Sequence, residues 1–269
     1  MDFFVDKNEF GELKKLFCDV FSEDEKFVDM MFENKFDVDH IFTVRENNEI
    51  VCTTYGIYFD CKVGSITGKC IYIYGVGTKP AYRGKGYVKK IFDYINQYYK
   101  EKGVLFLYLV PSSASLFHMY EKFGYQTAFF LDNTELDLSF YRNHSSVIKP
   151  IEGDFHNDYL TFIGRFDNVV IRSKLDNQLI LKECDYEKIN NSGFLYYIKD
   201  KTAVIRESFI DRQSDFDEFL VYLANRKLEK AVFTQYQDAK TPYAMVYPLS
   251  DRISIDDFTA NSYTNMNFE

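Results

Sequence analysis

An apolar run, Ile71-Tyr72-Ile73-Tyr74, passes into a corner containing Gly75, Gly77, Gly84 and Gly86. A stretch follows in which Val88, Ile91, Phe92, Ile95 and Tyr99 recur at helical spacing, and Gly103 is a C-cap signal. Val104 to Val110 is then continuously apolar, the pattern of a strand buried on both faces. A strand–helix–strand unit closes by a right-handed crossover, so its two strands are expected to be parallel. Lys79, Arg83, Lys85, Lys89 and Lys90 crowd this corner, in a chain whose net charge is −9. That local reversal of charge needs an explanation.

The flanking patterns build a mixed α+β class around the unit. Residues 8–33 carry apolar side chains at helical spacing, with Ser22 and Glu25 resembling a capping box between two helices. Ile41 to Arg45, Ile50 to Phe59 and Lys69 to Tyr74 are β-branched and aromatic, and Asn47-Asn48 signals a turn. Gly64 and Gly68 punctuate the next connection. Beyond the apolar strand, Ser115 to Phe123 reads as a helix closed by Gly124, and strands follow near 127–131 and 134–138. The first half therefore reads ααββββαβαββ, a mostly antiparallel sheet with one parallel pair.

A polar stretch from Tyr141 to Pro150 marks the expected boundary between domains at 1–140 and 150–269. The second half repeats the order in outline. A helix is expected over Asp154–Gly164, strands near 169–172 and 179–183, and a hairpin from 194 to 209 turning at Lys199-Asp200-Lys201. Another helix is expected over 215–227, with closing strands at 230–236 and 243–247. Its strand-to-helix corner, SFIDRQSDFDEF, has no glycine and several acids. The second half thus reads as a degenerate structural repeat of the first.

Composition narrows the function classes. With 269 residues, 46% hydrophobic and 18% aromatic, the chain has ample core material for one large or two modest domains. The net charge of −9 argues against general nucleic-acid binding. No basic n-region precedes an apolar h-region, and no apolar run approaches the ~18 residues of a membrane span, so no membrane association and a cytoplasmic location are expected. The five cysteines form no C-x-x-C pair, and the expectation is reduced thiols without a metal site.

Glycine-rich turns that open a helix bind phosphate, because first-turn N–H groups lack partners and the helix dipole adds positive charge. Gly84 and Gly86 lower helix propensity by ~1 kcal/mol each, which points to geometry or a ligand. The stretch is not a P-loop, since no Gly-Lys precedes Ser or Thr at the required spacing, and it does not match G-x-G-x-x-G. Lys89 and Lys90 read as a solvated helix face.

GVGTKPAYRGKGYVKKIF resembles motif A of the GNAT N-acetyltransferases, whose Q/R-x-x-G-x-G/A signature falls on Ala81-Tyr82-Arg83-Gly84-Lys85-Gly86. SLFHMYEKFGYQ resembles motif B, which places Tyr120 four residues before Gly124-Tyr125. The ββββαβαββ order is that of this family, so the resemblance implies a GNAT fold with a mixed, mostly antiparallel sheet flanked by helices. It also implies that acetyl-CoA is the co-substrate. The backbone from Arg83 through Gly84, Lys85, Gly86 and Tyr87 to Val88 would grip its pyrophosphate, and Val76 and Thr78 would pair with the pantetheine arm. Tyr120 would protonate the departing thiolate. Ser113 or Ser115 would bond the arm or cap the helix, both readings remaining open. Ala81 replaces the usual Gln or Arg, which weakens one side-chain contribution and leaves the backbone cradle intact. The doubled layout is similar to the enhanced-intracellular-survival-type acetyltransferases, in which a degenerate second GNAT domain follows an active one.

The resemblance implies transfer of an acetyl group to a primary amine by direct attack in a ternary complex, with a small-molecule or peptide acceptor. Polyamines, aminoglycosides, amino acids, peptides and protein lysines all stay open. So do two rival classes, a CoA-binding regulator without turnover and a partner-binding protein using the second half. No general base stands out; Tyr74 acting through water is one candidate. His118 lies on a different helix face from Tyr120, and His40, His144 and His156 show no partner in the sequence.

Overall fold

The computed structural model describes residues 3–142, 144, 149–236, 238–258 and 261–264. The chain divides into two units, residues 1–128 with 243–259, and residues 129–242 with 260–269.

In the first unit, α1 (Phe10–Phe21) and α2 (Glu25–Asn34) bury Leu13, Leu16, Phe17 and Val28, Met31, Phe32 respectively. The expected Ser22–Glu25 capping box does not form. Ser22 ends α1 in the left-handed conformation, and the Asp24 carboxylate instead accepts the Lys26 N–H at the start of α2. Three strands follow: β1 (Ile41–Glu46), β2 (Glu49–Val63) and β3 (Ile66–Thr78). Asn47 and Asn48 both have positive φ in the turn between β1 and β2, as their residue types predict. The meander, expected to have three or four strands, has three, because Gly68 does not interrupt the last. Gly68 lies inside β3, where a Cβ would stand 2.8 Å from Leu105 Cδ1.

Next come α3 (Tyr87–Glu101), β4 (Phe106–Leu109), α4 (Ala114–Glu121) and β5 (Gln126–Phe130). Ile91, Phe92, Ile95 and Tyr99 form the buried face of α3, and β4 is buried throughout. The crossover prediction holds, since β3 and β4 are parallel in the register Cys70↔Phe106 to Tyr72↔Tyr108.

The second unit contains β6 (Asp132–Asp137), α5 (Phe155–Ile163), β7 (Asn168–Ile171), α6 (Lys174–Ile180) and β8 (Asp185–Ile189). It continues with β9 (Ser192–Lys199), β10 (Thr202–Phe209), α7 (Gln213–Asn225) and β11 (Lys230–Gln235). The expected strand near 179–183 is wrong. A capping box between Ser173 and Asp176 starts α6 there, and the strand is β8. The second unit's main sheet runs β6-β11-β10-β9-β8, with β10 and β11 parallel. A short strand, β13 (Ser262–Tyr263), pairs with β7; it follows β12 (Pro242–Pro248) in the chain.

The expected split at 140/150 differs from this arrangement in one respect of topology. β6, read as the last strand of the first half, is an edge of the second unit's sheet, antiparallel to β11. β12, read as the last strand of the second half, sits in the first unit between β4 and β5 and pairs antiparallel with β4. Half of the Tyr141–Pro150 stretch (143 and 145–148) lies outside the described residues.

Candidate active site

The parallel ladder between β3 and β4 stops at Tyr72↔Tyr108, while β3 runs on to Thr78 and β4 ends at Leu109. The register of β3 against β2 shifts between Tyr55↔Tyr74 and Thr53↔Gly77, with Gly75 at φ +59° in the bulge. Bulges bend a strand and increase its twist. Past Tyr72, β3 therefore leaves β4, and the edge carrying Val76 and Thr78 faces no other strand among the described residues. An extended chain can pair with such an edge through main-chain hydrogen bonds.

The corner lies at the open end of this wedge. Pro80–Tyr82 makes a 3-10 turn, Arg83 is extended, and Gly84 and Gly86 have φ of +78° and +79°. Any side chain there would meet open space but a strained backbone, so glycine serves conformation and not packing. Gly86 is the N-cap of α3 with no side-chain cap, and the first helical bond runs from Lys90 N–H to the Gly86 carbonyl. The N–H groups of Gly86 to Lys89 donate to no described protein atom. Arg83 is the exception in the expected cradle, because its N–H bonds the Pro80 carbonyl at 3.3 Å.

Among the described residues, the basic side chains of the corner divide into three paired with carboxylates and two, Arg83 and Lys90, that are not. Lys79 Nζ lies 2.7 Å from Glu49 Oε1, and the Tyr82 hydroxyl donates to Glu49 Oε2 at 3.0 Å. Lys85 pairs with Glu46 at 3.2 Å, and Tyr87 donates to the same carboxylate. The Tyr87 and Lys85 contacts hold Glu46 below the usual carboxylate range, and Glu46 pushes the Tyr87 phenol up to about 12. Lys89 pairs with Asp93 one turn on, and Lys90 lies over the Tyr87 ring at 5.5 Å. Arg83 donates from Nε to the Thr78 carbonyl at 3.1 Å and has no carboxylate partner among the described residues. Lys79 and Lys85 thus fasten the corner to the flanking hairpin, and Arg83 supplies unpaired charge.

Tyr120 is 6% exposed on α4, its ring stacked on Phe92 with centroids 5.5 Å apart. Its hydroxyl has no hydrogen-bond partner among the described residues. Burial pushes the phenol well above its ordinary value, with a smaller contribution from Cys52. The buried Cys52, itself raised to about 11 by burial, sits opposite Thr78 and accepts from Thr78 Oγ1 at 3.2 Å. Thr78 and Cys52 therefore meet at the end of β3, and Tyr120 belongs to the same apolar cluster as Cys52. Cys52, Glu46 and Glu49 carried no sequence signal, since only the β2–β3 and corner–hairpin pairings reveal them. Tyr247 of β12 packs against Tyr125 at 5.3 Å, behind the Tyr120 helix.

Ser113 is the N-cap of α4, yet its side chain makes no cap bond; its Oγ lies 3.1 Å from Ser115 Oγ. His118 is exposed and paired with Glu121 at 2.8 Å. Tyr74 stacks on Phe17 at 6.0 Å. His40 bonds the Tyr99 hydroxyl, and His156 bonds Asn177, so both have structural partners.

Residues 4–128 match the family described as the acetyltransferase (GNAT) domain. No curated protein matches the chain in sequence. Among solved structures, a GCN5-related N-acetyltransferase from Kribbella flavida aligns with a TM-score of 0.70 at 14% identity, over 91% of this chain and 71% of that one. One from Anabaena variabilis aligns at 0.71 and 14%, over 91% and 72%. Eis1 from Mycobacterium abscessus aligns at 0.65 and 9%, over 93% and 74%. These likenesses show the fold. The splayed parallel strands, the uncapped glycine corner and the family match agree over residues 4–128, which have the form of a GNAT acetyltransferase domain.

Proposed function

We propose that this chain moves an acetyl group from acetyl-CoA to a primary amine by direct attack in a ternary complex. The observation that carries the reading is the uncapped first turn of α3, entered through two left-handed glycines at the mouth of the β3–β4 wedge. The N–H groups of Gly86, Tyr87, Val88 and Lys89, with the unpaired Arg83 guanidinium, fit a diphosphate by charge and donor count. Gly84 and Lys85 set the loop's course, and Lys85 itself is turned toward Glu46. The free β3 edge at Val76 and Thr78 fits an extended pantetheine arm. Acetyl-CoA, when bound, supplies the activated thioester.

The chain's own groups then have separable tasks. The β3 edge orients the thioester and offers N–H groups to its carbonyl oxygen. Tyr120, kept protonated by burial, gives a proton to the leaving sulfur. Phe92 fixes the ring so that the hydroxyl is presented at one place. Ser113, with its Oγ turned to Ser115, is available to the arm because it does not cap α4. The acceptor amine loses its proton to solvent or to a group outside this set. The second unit is read as a GNAT-like half without a phosphate cradle.

The test is a calorimetric titration with acetyl-CoA on the wild type and on Gly84→Asp. Saturating ligand at about a hundred times its dissociation constant should stabilise the wild type by ~2.7 kcal/mol. Loss of binding in the variant, with the ligand-free melting temperature lowered only by the few degrees that a left-handed non-glycine residue costs, supports the cradle. Absence of binding to the wild type overturns the reading.

A further inference from the structure

The second unit has its own pair of diverging parallel strands. β10 and β11 pair from Thr202↔Lys230 to Ile205↔Phe233, and the register of β10 against β9 shifts between Ile205 and Glu207. Beyond that point the strands part. The Tyr236 hydroxyl bridges the start of the gap, donating to the Arg206 carbonyl at 2.9 Å. A cavity of about 380 Å³ lies past this bridge, at the carboxyl ends of both strands. Crevices at the carboxyl ends of parallel strands are where open sheets bind ligands, and the volume falls within the ~300–1,000 Å³ of small-molecule sites.

The lining selects the ligand. Phe162, Phe166, Phe233 and Tyr236 line the cavity half-buried; Phe162 already stacks on Phe209, and together the four rings give the cavity an aromatic wall. Ser208 supplies a hydroxyl from β10. Arg165 lines one side; its Nη1 donates to the Ile210 carbonyl at 3.3 Å and its guanidinium lies over Phe162. It has no carboxylate partner among the described residues. Neighbouring Asp167 accepts from Asn261.

The same unit repels a phosphate. Its helix after the strand, α7, opens on Arg212 with no glycine. Asp215 occupies the first turn, its carboxylate buried and accepting from Asn190 Nδ2 and Ser192 Oγ at 2.8 Å each. A buried carboxylate in the first turn opposes the helix dipole there, which disfavours a diphosphate at this corner and leaves Arg165 untouched.

We infer that this cavity is a second small-molecule site, for a planar aromatic carboxylate whose rings stack among Phe162, Phe166 and Phe233 and whose carboxylate pairs with Arg165. It is independent of the acetyl-CoA reading. The test is a calorimetric titration of the full chain with 2-naphthoate and its neutral isostere 2-naphthamide, both in saturating CoA so that the first unit's cradle is filled. The expected result is saturable naphthoate binding, with naphthamide about tenfold weaker, equivalent to ~1.4 kcal/mol. Arg165→Gln should erase that difference and leave stacking. Ser208→Trp should fill the cavity and abolish both while acetyl-CoA binding is unchanged. If Ser208→Trp fails to fold, the Arg165→Gln comparison decides. Absence of naphthoate binding, equal affinity for the two probes, or undiminished binding to a folded Ser208→Trp variant overturns the proposal.

Discussion

Tyr120→Phe should raise stability and lower activity together. The substitution removes one hydroxyl from a side chain that is 6% exposed and leaves its ring on Phe92. That hydroxyl has no protein partner among the described residues, and its oxygen is not among the fully enclosed ones, so its cost sits at the low end of the ~1–3 kcal/mol of a buried unpaired group, and a gain of ~1 kcal/mol is expected. In a domain of this size that raises the melting temperature by about 2–4 °C. The activity effect has the opposite sign. Loss of a positioned general acid should lower kcat by about 10²–10⁴-fold with little change in acetyl-CoA affinity. The assay follows release of free CoA thiol, with the amine that the wild type turns over fastest from a panel of polyamines, aminoglycosides and lysine peptides. The pH profile adds a second readout. Burial raises the folded phenol above its ordinary ~10, so wild-type kcat should not fall on the alkaline side before about pH 10. An unchanged kcat would show that Tyr120 only packs. A melting temperature lowered by several degrees would show that the hydroxyl has a structural bond, and would refute the reasoning.

The remaining predictions concern backbone, burial and alkaline pH. Gly86→Ala should weaken acetyl-CoA binding in calorimetry by about tenfold, since a non-glycine residue in the left-handed region costs about 1–2 kcal/mol and turns the N-cap away. Glu207→Ala should lower stability by about 3–5 kcal/mol in urea unfolding. It strands the fully buried Arg172, whose Nη1 and Nη2 meet Glu207 at 2.7 and 2.8 Å. The double variant Arg172→Met, Glu207→Leu should recover most of that loss. Tyr55, Tyr99, Tyr120, Tyr125, Tyr159, Tyr186, Tyr196 and Tyr263 all have phenols raised by burial. Their folded pKa exceeds the unfolded ~10, so their contribution is complete below about pH 10 and is lost as pH rises further, at ~1.4 kcal/mol per unit for each phenol. Circular dichroism should show cooperative unfolding near pH 11, and a chain still folded at about pH 12 would contradict this.

What could be read from the sequence was what local chemistry dictates. The 71–110 unit was legible because strand, glycine corner, helix and buried strand each carry their own signal and are contiguous. Asn47-Asn48 and Gly103 were legible for the same reason. Errors arose where two local signals competed. Ser22 and Asp24 are both cap residues, and Asp24 won because Ser22 was already committed to ending α1. Leu179-Ile180-Leu181 looks like a strand in isolation, but it lies in and just past a helix started by Ser173 and Asp176. Non-local pairing was illegible. Nothing in 132–137 or 242–248 says which sheet they join, because either strand fits either edge by pattern. The partners of Lys79 and Lys85 were hidden likewise, since Glu49 and Glu46 lie thirty or more residues away.

The placement of β12 has a consequence for biosynthesis. β4 cannot receive its antiparallel neighbour until Pro248 has left the ribosome, although residues 1–128 emerge long before. The usual sequence, in which an amino-terminal domain folds while the rest is being translated, is therefore closed to this chain. Its nascent form must carry the unpaired edge of a buried strand through most of synthesis, a state that invites chaperone capture or aggregation. A gene fragment encoding only the matched family region would make that transient exposure permanent.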